Sequence, residues 1–85
     1  MRGTGAVGWG GETLYCYFTV AGGVTRVRLS ADDADRLDVI AGMRVRLALP
    51  GAVPFDGLVE RVRREPPVAW TELTPLAPAA ASRAG

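Results

Sequence analysis

The chain has 85 residues, of which 48% are hydrophobic and 22% charged, a composition typical of one small globular domain. Its ten basic residues, all arginine, nearly balance nine acidic ones, so the net charge of +1 gives no general attraction for nucleic acid. Histidine is absent and Cys16 is the only cysteine, which excludes an internal disulfide, the usual zinc ligand sets and a Ser–His or Cys–His pair. We therefore expect a protein that is not an enzyme and that needs no metal and no cofactor.

The first eleven residues predict a flexible arm. Residues 1–11 contain five glycines, which lose much conformational freedom when ordered, and only Val7 and Trp9 could pack. This stretch has no continuous apolar core, and no run in the chain approaches the roughly 20 apolar residues that span a bilayer. We expect a bacterial cytoplasmic protein without a secretion signal or a membrane contact.

Residues 12–20 and 24–29 predict a β-hairpin. Apolar residues alternate with threonine and tyrosine in 12–20, and β-branched and aromatic residues favour strands. The inward set is Leu14, Cys16, Phe18 and Val20, and the outward set is Thr13, Tyr15, Tyr17 and Thr19. Gly22 and Gly23 can both adopt positive φ, which suits a two-residue turn. In the second strand, Val27 and Leu29 face inward, and Arg26 and Arg28 face outward.

A short helix follows at about residues 31–38. Ser30 is a good N-cap, and Asp32 and Asp33 in the first turn favour the helix dipole. This role accounts for the acidic cluster without a metal site. Gly42 then predicts a left-handed position before the next strand.

Three more strands complete the predicted body. Residues 43–49 alternate, with Met43, Val45, Leu47 and Leu49 inward and Arg44 and Arg46 outward. Residues 58–65 are less regular, because Glu60 shares a face with Leu58 and Val62. Residues 68–73 follow Pro66-Pro67, which cannot donate to a ladder, so we expect this strand at a sheet edge.

The predicted fold is mainly β. Short strands, tight turns and one small helix within 12–74 indicate a five- to six-stranded barrel of the SH3, OB or cradle-loop kind. The Ala/Pro-rich residues 75–85 carry no strand pattern, and we expect a flexible tail there.

One segment resembles a known family. In VRLSADDADRLDVIAGMRVRL (27–47), a strand, a short helix and the spacing of Leu37, Val39 and Gly42 are similar to AbrB/MazE-type swapped-hairpin transcription regulators and to cradle-loop barrels. Ser30 and Met43 depart from the pattern, which favours proline and aspartate there. The resemblance implies DNA binding by an obligate homodimer, and it transfers no DNA-contact residue.

Three Arg-Val-Arg copies are the main functional candidates. Each places two guanidinium groups on the outward face of a strand, and exposed aromatics beside arginine are typical of single-stranded nucleic-acid platforms. The candidate nucleic-acid-binding residues are Arg26, Arg28, Arg44, Arg46, Arg61, Arg63, Tyr15 and Tyr17. The alternative is that these arginines are only the solvated side of a barrel and pair with Glu12, Glu60, Glu65 and Glu72.

A second hypothesis is a protein–protein module or accessory subunit. The 50–57 loop carries Val53 and Phe55 between turn residues, so it either plugs the end of the barrel or contacts another protein. Strand 68–73 could serve the same purpose if it lies at an edge. We expect Cys16 to be buried, and Trp70 to lie in the core rather than in an exposed groove.

Overall fold

A computed structural model describes residues 1–76 as a closed six-stranded antiparallel β-barrel with one short helix. The elements in chain order are β1 Arg2–Trp9, β2 Glu12–Ala21, β3 Val24–Ser30, α1 Ala31–Arg36, β4 Arg44–Ala48, β5 Phe55–Glu65 and β6 Val68–Pro75. Around the barrel the order is β1-β2-β3-β6-β5-β4, and β4 pairs with β1 to close it. The mainly β fold and the small barrel predicted from the sequence are confirmed.

The expectation of a flexible arm over residues 1–11 is wrong. Arg2–Trp9 pairs along its whole length with β2, and its second half also pairs with β4. Val7 and Trp9 are 0% and 1% exposed, so this strand supplies part of the core. Closing the barrel satisfies the backbone of the segment and buries these two side chains, which offsets the entropic cost of its glycines.

Gly5 on β1 allows the close approach of β1 and β4. A Cβ atom at this position would lie 2.8 Å from Leu49 Cδ2 and 3.1 Å from the Ala48 carbonyl oxygen. Gly3 is less crowded, because its nearest neighbour would be Phe18 Cε1 at 3.5 Å.

We therefore expect Gly5→Ala to lower the free energy of unfolding by about 1–3 kcal/mol, the usual cost of overpacking a core. Gly3→Ala is the matched control and should leave stability within about 0.5 kcal/mol. Urea denaturation of both variants measures the difference. Equal stability of the two would contradict the close approach at Gly5.

The hairpin and the helix follow the sequence closely. Gly22 and Gly23 form the β2–β3 turn with φ of 58° and 79°. Ser30 caps α1, because its Oγ accepts a hydrogen bond from the Asp33 backbone N–H at 3.0 Å. The helix ends at Arg36, earlier than expected, because Asp38 takes a left-handed φ of 53°. Gly42 has φ of 94°, as predicted.

The expectation that strand 68–73 lies at an edge is wrong. β6 pairs with β3 on one side and with β5 on the other, so neither of its backbone edges is free for a partner strand. Pro66 and Pro67 occupy the turn between β5 and β6, where a missing N–H costs no ladder bond. β6 also extends to Pro75, and residues 77–85 of the predicted tail lie outside the described residues.

A β-bulge explains the irregular pattern of β5. Val59 pairs with Leu73 and Arg61 with Glu72, so Glu60 is an extra residue that has no partner on β6. Because of this extra residue, Val59 and Val62 both face the inside of the barrel although they are three residues apart. In a regular strand, residues at this spacing would face opposite sides.

The core lies inside the barrel, and α1 packs against β3 and β6 through buried Ala34. The buried apolar side chains are Val7, Trp9, Cys16, Phe18, Val27, Leu29, Ala34, Val39, Val45, Leu47, Leu49, Val59, Ala69 and Leu73. Leu37 and Met43 pack against this set from the segment around the helix. The barrel therefore spans Arg2–Pro75 rather than the predicted 12–74.

Candidate functional site

A row of alternating aromatic and arginine side chains crosses four strands of the barrel. Tyr17 on β2 is opposite Arg28 on β3, Arg28 is opposite Trp70 on β6, and Trp70 is opposite Arg63 on β5. Tyr17, Arg28 and Trp70 point outward, because both chain neighbours of each are buried, and Arg63 shares this face because it is opposite Trp70. Local strand patterns determine each orientation, but only the closure of the barrel places the four side chains side by side.

Arg28 contacts both aromatic rings of this row. Its Cζ lies 4.8 Å from the ring centre of Tyr17 and 5.8 Å from that of Trp70. The two rings are 6.1 Å apart and nearly perpendicular, with an interplanar angle of 78°. The guanidinium therefore lies beside both rings, within cation–π range of each, and Arg28 remains exposed to solvent.

A second row runs beside the first. Thr19, Arg26, Glu72 and Arg61 are opposite one another across the same four strands. Arg26 Nε lies 3.4 Å from Glu72 Oε2. We call these two rows together the arginine–aromatic face, which consists of Tyr17, Thr19, Arg26, Arg28, Arg61, Arg63, Trp70 and Glu72.

An open groove lies beside Trp70 on this face. Its lining residues are Thr19, Arg26, Arg63, Glu65, Trp70 and Glu72. Arg63 Nε lies 2.8 Å from Glu65 Oε2 in an ion pair, so both carboxylates of the groove have an arginine partner. The groove therefore offers an aromatic wall, guanidinium donors and carboxylate acceptors within one small space.

The third arginine pair lies elsewhere. Arg44 and Arg46 on β4 flank Asp56, with Arg46 Nη1 at 3.1 Å and Arg44 Nη2 at 3.9 Å from its carboxylate oxygens. They are opposite the first half of β5, whereas Arg61 and Arg63 lie in its second half. Outward side chains of a barrel radiate from its axis, so the six arginines predicted as one site form two separate groups.

Of the two tyrosines predicted to bind nucleic acid, only one lies in the row. Tyr17 belongs to the row, whereas Tyr15 is opposite Ala6 of β1 and is 82% exposed. A second groove, which includes both tyrosines and Arg28, runs from the row toward α1. Tyr15 is therefore at the border of the arginine–aromatic face rather than within it.

Trp70 is not a core residue, contrary to expectation. It is half-buried and outward, while Ala69 and Thr71 on either side point inward. Buried Thr71 is satisfied because its Oγ1 donates to the Val27 carbonyl at 3.0 Å. The sequence did contain an indication, since Trp70 shares its strand face with Glu72, and a charged side chain marks the solvent side.

The residues of the 50–57 loop separate in the structure. Phe55 begins β5 and packs against the core, as a plug would, whereas Val53 is 84% exposed. Single exposed apolar side chains are common on protein surfaces. The loop therefore presents Val53 alone for the protein contact predicted at Val53 and Phe55.

Ion pairs connect α1 to β2 and to β5. Arg36 donates to Glu12 Oε1 at 2.7 Å and to Asp33 Oδ1 at 2.9 Å, and it lowers the pKa of both carboxyl groups through these hydrogen bonds. Arg64 of β5 donates to Asp35 at 2.6 Å. Glu12 thus pairs with the helix rather than with the arginines of the strands.

The thiol and the carboxylates of residues 1–76 form no metal site. Cys16 is 4% exposed, as predicted, and burial raises the pKa of its thiol. Within residues 1–76, no group of three or more His, Cys, Asp or Glu side chains could hold a metal ion. The six-residue α1, which is the helix of the described chain, is too short to cross a membrane.

No protein family, curated protein or solved structure matches this chain. The fold and the site therefore define it only as a small closed β-barrel with one short helix and an arginine–aromatic face.

Proposed function

We propose that this barrel is a non-catalytic module that binds single-stranded nucleic acid through the arginine–aromatic face. The observation that carries the proposal is the row Tyr17–Arg28–Trp70–Arg63. Proteins that bind single strands combine aromatic rings, on which bases stack, with cationic groups that contact the phosphates. This row supplies the two components in alternation.

The orientation of Arg28 supports the proposal. A flexible arginine loses rotamer freedom when it binds a phosphate, and this cost weakens association. The rings of Tyr17 and Trp70 already hold the Arg28 guanidinium in place, so less freedom remains to be lost. Bidentate geometry makes arginine well suited to phosphate.

The outward aromatic rings favour a single strand over a duplex. Stacking on Trp70 or Tyr17 requires an open base face, and the bases of a duplex already stack on each other. The face also carries Glu72 among its four arginines, which limits phosphate attraction. We therefore propose modest affinity that depends strongly on salt. All six strands come from one chain, so this mode of binding needs no second copy.

Fluorescence anisotropy with a labelled thymine oligomer of about ten nucleotides tests this function, since that length is within the range of small barrel sites. Binding should weaken as salt rises from about 50 to 200 mM, with a log–log slope of about −1.4 to −2.8 for two to four phosphate contacts. A duplex of the same length should bind more weakly. Absence of binding at low salt, or stronger binding to the duplex, would refute the proposal.

The hypothesis of a protein-contact module has less support from the described residues. Both edges of β6 are paired, which leaves no edge there for an added strand. Phe55 packs against the core, so only Val53 of the two candidate contact residues is available.

A further inference from the structure

We infer that the groove beside Trp70 reads the identity of one base and prefers guanine. This inference rests on the proposed function and concerns the same site. It starts from Glu72, whose carboxylate lies between Arg26 and Arg61 in the middle of a cationic face. A carboxylate repels phosphate, so its presence there is unfavourable for backbone binding alone.

Glu72 is also less exposed than the other paired carboxylates. Its side chain is 26% exposed, the lowest value among the carboxylates that form ion pairs within residues 1–76. Arg26 contacts one carboxylate oxygen, Oε2. The other oxygen accepts no hydrogen bond from the described residues, and Oε2 keeps a second lone pair, so both oxygens can accept from a ligand.

The groove places this acceptor next to a stacking surface. Trp70 forms one wall, and Glu65 supplies a second carboxylate in the same groove. A base that stacks on Trp70 would direct its Watson–Crick edge along the groove, which is the edge that proteins read in single strands.

Guanine fits a carboxylate best on chemical grounds. Its Watson–Crick edge presents two adjacent donors, N1–H and the N2 amino group, to the two oxygens of a carboxylate. Adenine and cytosine place an acceptor nitrogen beside their amino donor, and thymine flanks one N–H with two carbonyls. These acceptors would face the negative charge of Glu72, so the three bases should bind less well.

The test compares thymine oligomers of about ten nucleotides that carry guanine, hypoxanthine, adenine or cytosine at the central position. The guanine oligomer should bind about tenfold more tightly than the all-thymine oligomer, as expected for one good bidentate contact. Hypoxanthine lacks the N2 amino group and should lose most of that gain.

Glu72→Gln should remove the preference for guanine to within about twofold, because an amide cannot accept from both donors. The same variant should bind the all-thymine oligomer more tightly, since one negative charge has been removed from the face. Glu60→Gln is the matched control: Glu60 is exposed on the bulge and outside the groove, so its loss should preserve the preference. Thermal melts of both variants would confirm that each remains folded.

The outcomes separate this inference from the proposed function. Equal binding of all oligomers would overturn base reading and leave single-strand binding intact. A guanine preference that persists in Glu72→Gln would overturn the role of Glu72. If no oligomer binds, single-strand binding itself fails, and base reading fails with it.

Discussion

Trp9→Ala is expected to lower the free energy of unfolding by about 3–5 kcal/mol, the usual loss for a large aromatic side chain in a core. Trp9 is 1% exposed and lies on β1, which closes the barrel between β2 and β4. A small domain has a total stability of only about 5–15 kcal/mol, so this substitution should remove a large fraction of it. Urea denaturation followed by circular dichroism measures the change.

The second tryptophan of the chain provides a matched control. Trp70→Ala removes the same atoms from a half-buried outer position and should cost less stability, about 1–2 kcal/mol, through the lost contacts with Tyr17 and Arg28. Comparable losses for the two variants would show that Trp9 is not a core residue, and would contradict the assignment of Arg2–Trp9 to the barrel.

For binding, we expect the large effect at Trp70. Trp70→Ala should weaken the affinity for a single-stranded oligomer by about 5- to 150-fold, the range that alanine substitution gives for one base–aromatic stack. Loss of the indole would also remove one of the two cation–π contacts of Arg28, because its guanidinium lies near both Trp70 and Tyr17. Fluorescence anisotropy at a fixed low salt concentration measures both the variant and the wild type.

Two control variants test whether the loss of affinity in Trp70→Ala comes from its aromatic ring. Trp70→Phe keeps a ring on β6 and should retain most of the affinity. Val53→Ala removes an exposed apolar side chain from the 50–57 loop and should change affinity less than about twofold. A loss for Val53→Ala that matched the loss for Trp70→Ala would move the binding site to the loop.

Local patterns predicted the elements well where alternation was clear. The alternation in β2 and β3, the Gly22-Gly23 turn and the Ser30 cap each depend on neighbouring residues, and the structure confirms all of them. β1 was missed because its glycines obscure the alternation of Val7 and Trp9. The Gly10-Gly11 pair, with φ of 59° and 101°, carries the same turn chemistry as Gly22-Gly23 and would have indicated a hairpin.

Which residues form the site depends on which strands are neighbours in the barrel, and no local sequence pattern contains that information. Each strand shows that its arginines point outward, but not which strand lies beside it. The pairing of β3 with β6 and of β6 with β5 joins residues far apart in sequence and brings Arg28, Trp70 and Arg63 together. The pairing of β4 with β1 and β5 separates Arg44 and Arg46 from them.

Because the two arginine pairs are separate, one comparison tests the central claim with the same change in net charge in both variants. The double variants Arg28→Ala/Arg63→Ala and Arg44→Ala/Arg46→Ala each remove two guanidinium groups, one pair from the arginine–aromatic face and one from beside Asp56. Anisotropy titrations of a single-stranded oligomer over a range of salt concentrations measure affinity and salt slope together.

We predict that the Arg28/Arg63 variant loses at least about tenfold in affinity, and that its log–log salt slope becomes shallower by about 1.4, as expected for two lost phosphate contacts on a single strand. The Arg44/Arg46 variant should stay within about twofold of the wild type, because its arginines lie off the face. Equal losses in the two variants, or a larger loss for Arg44/Arg46, would contradict the account.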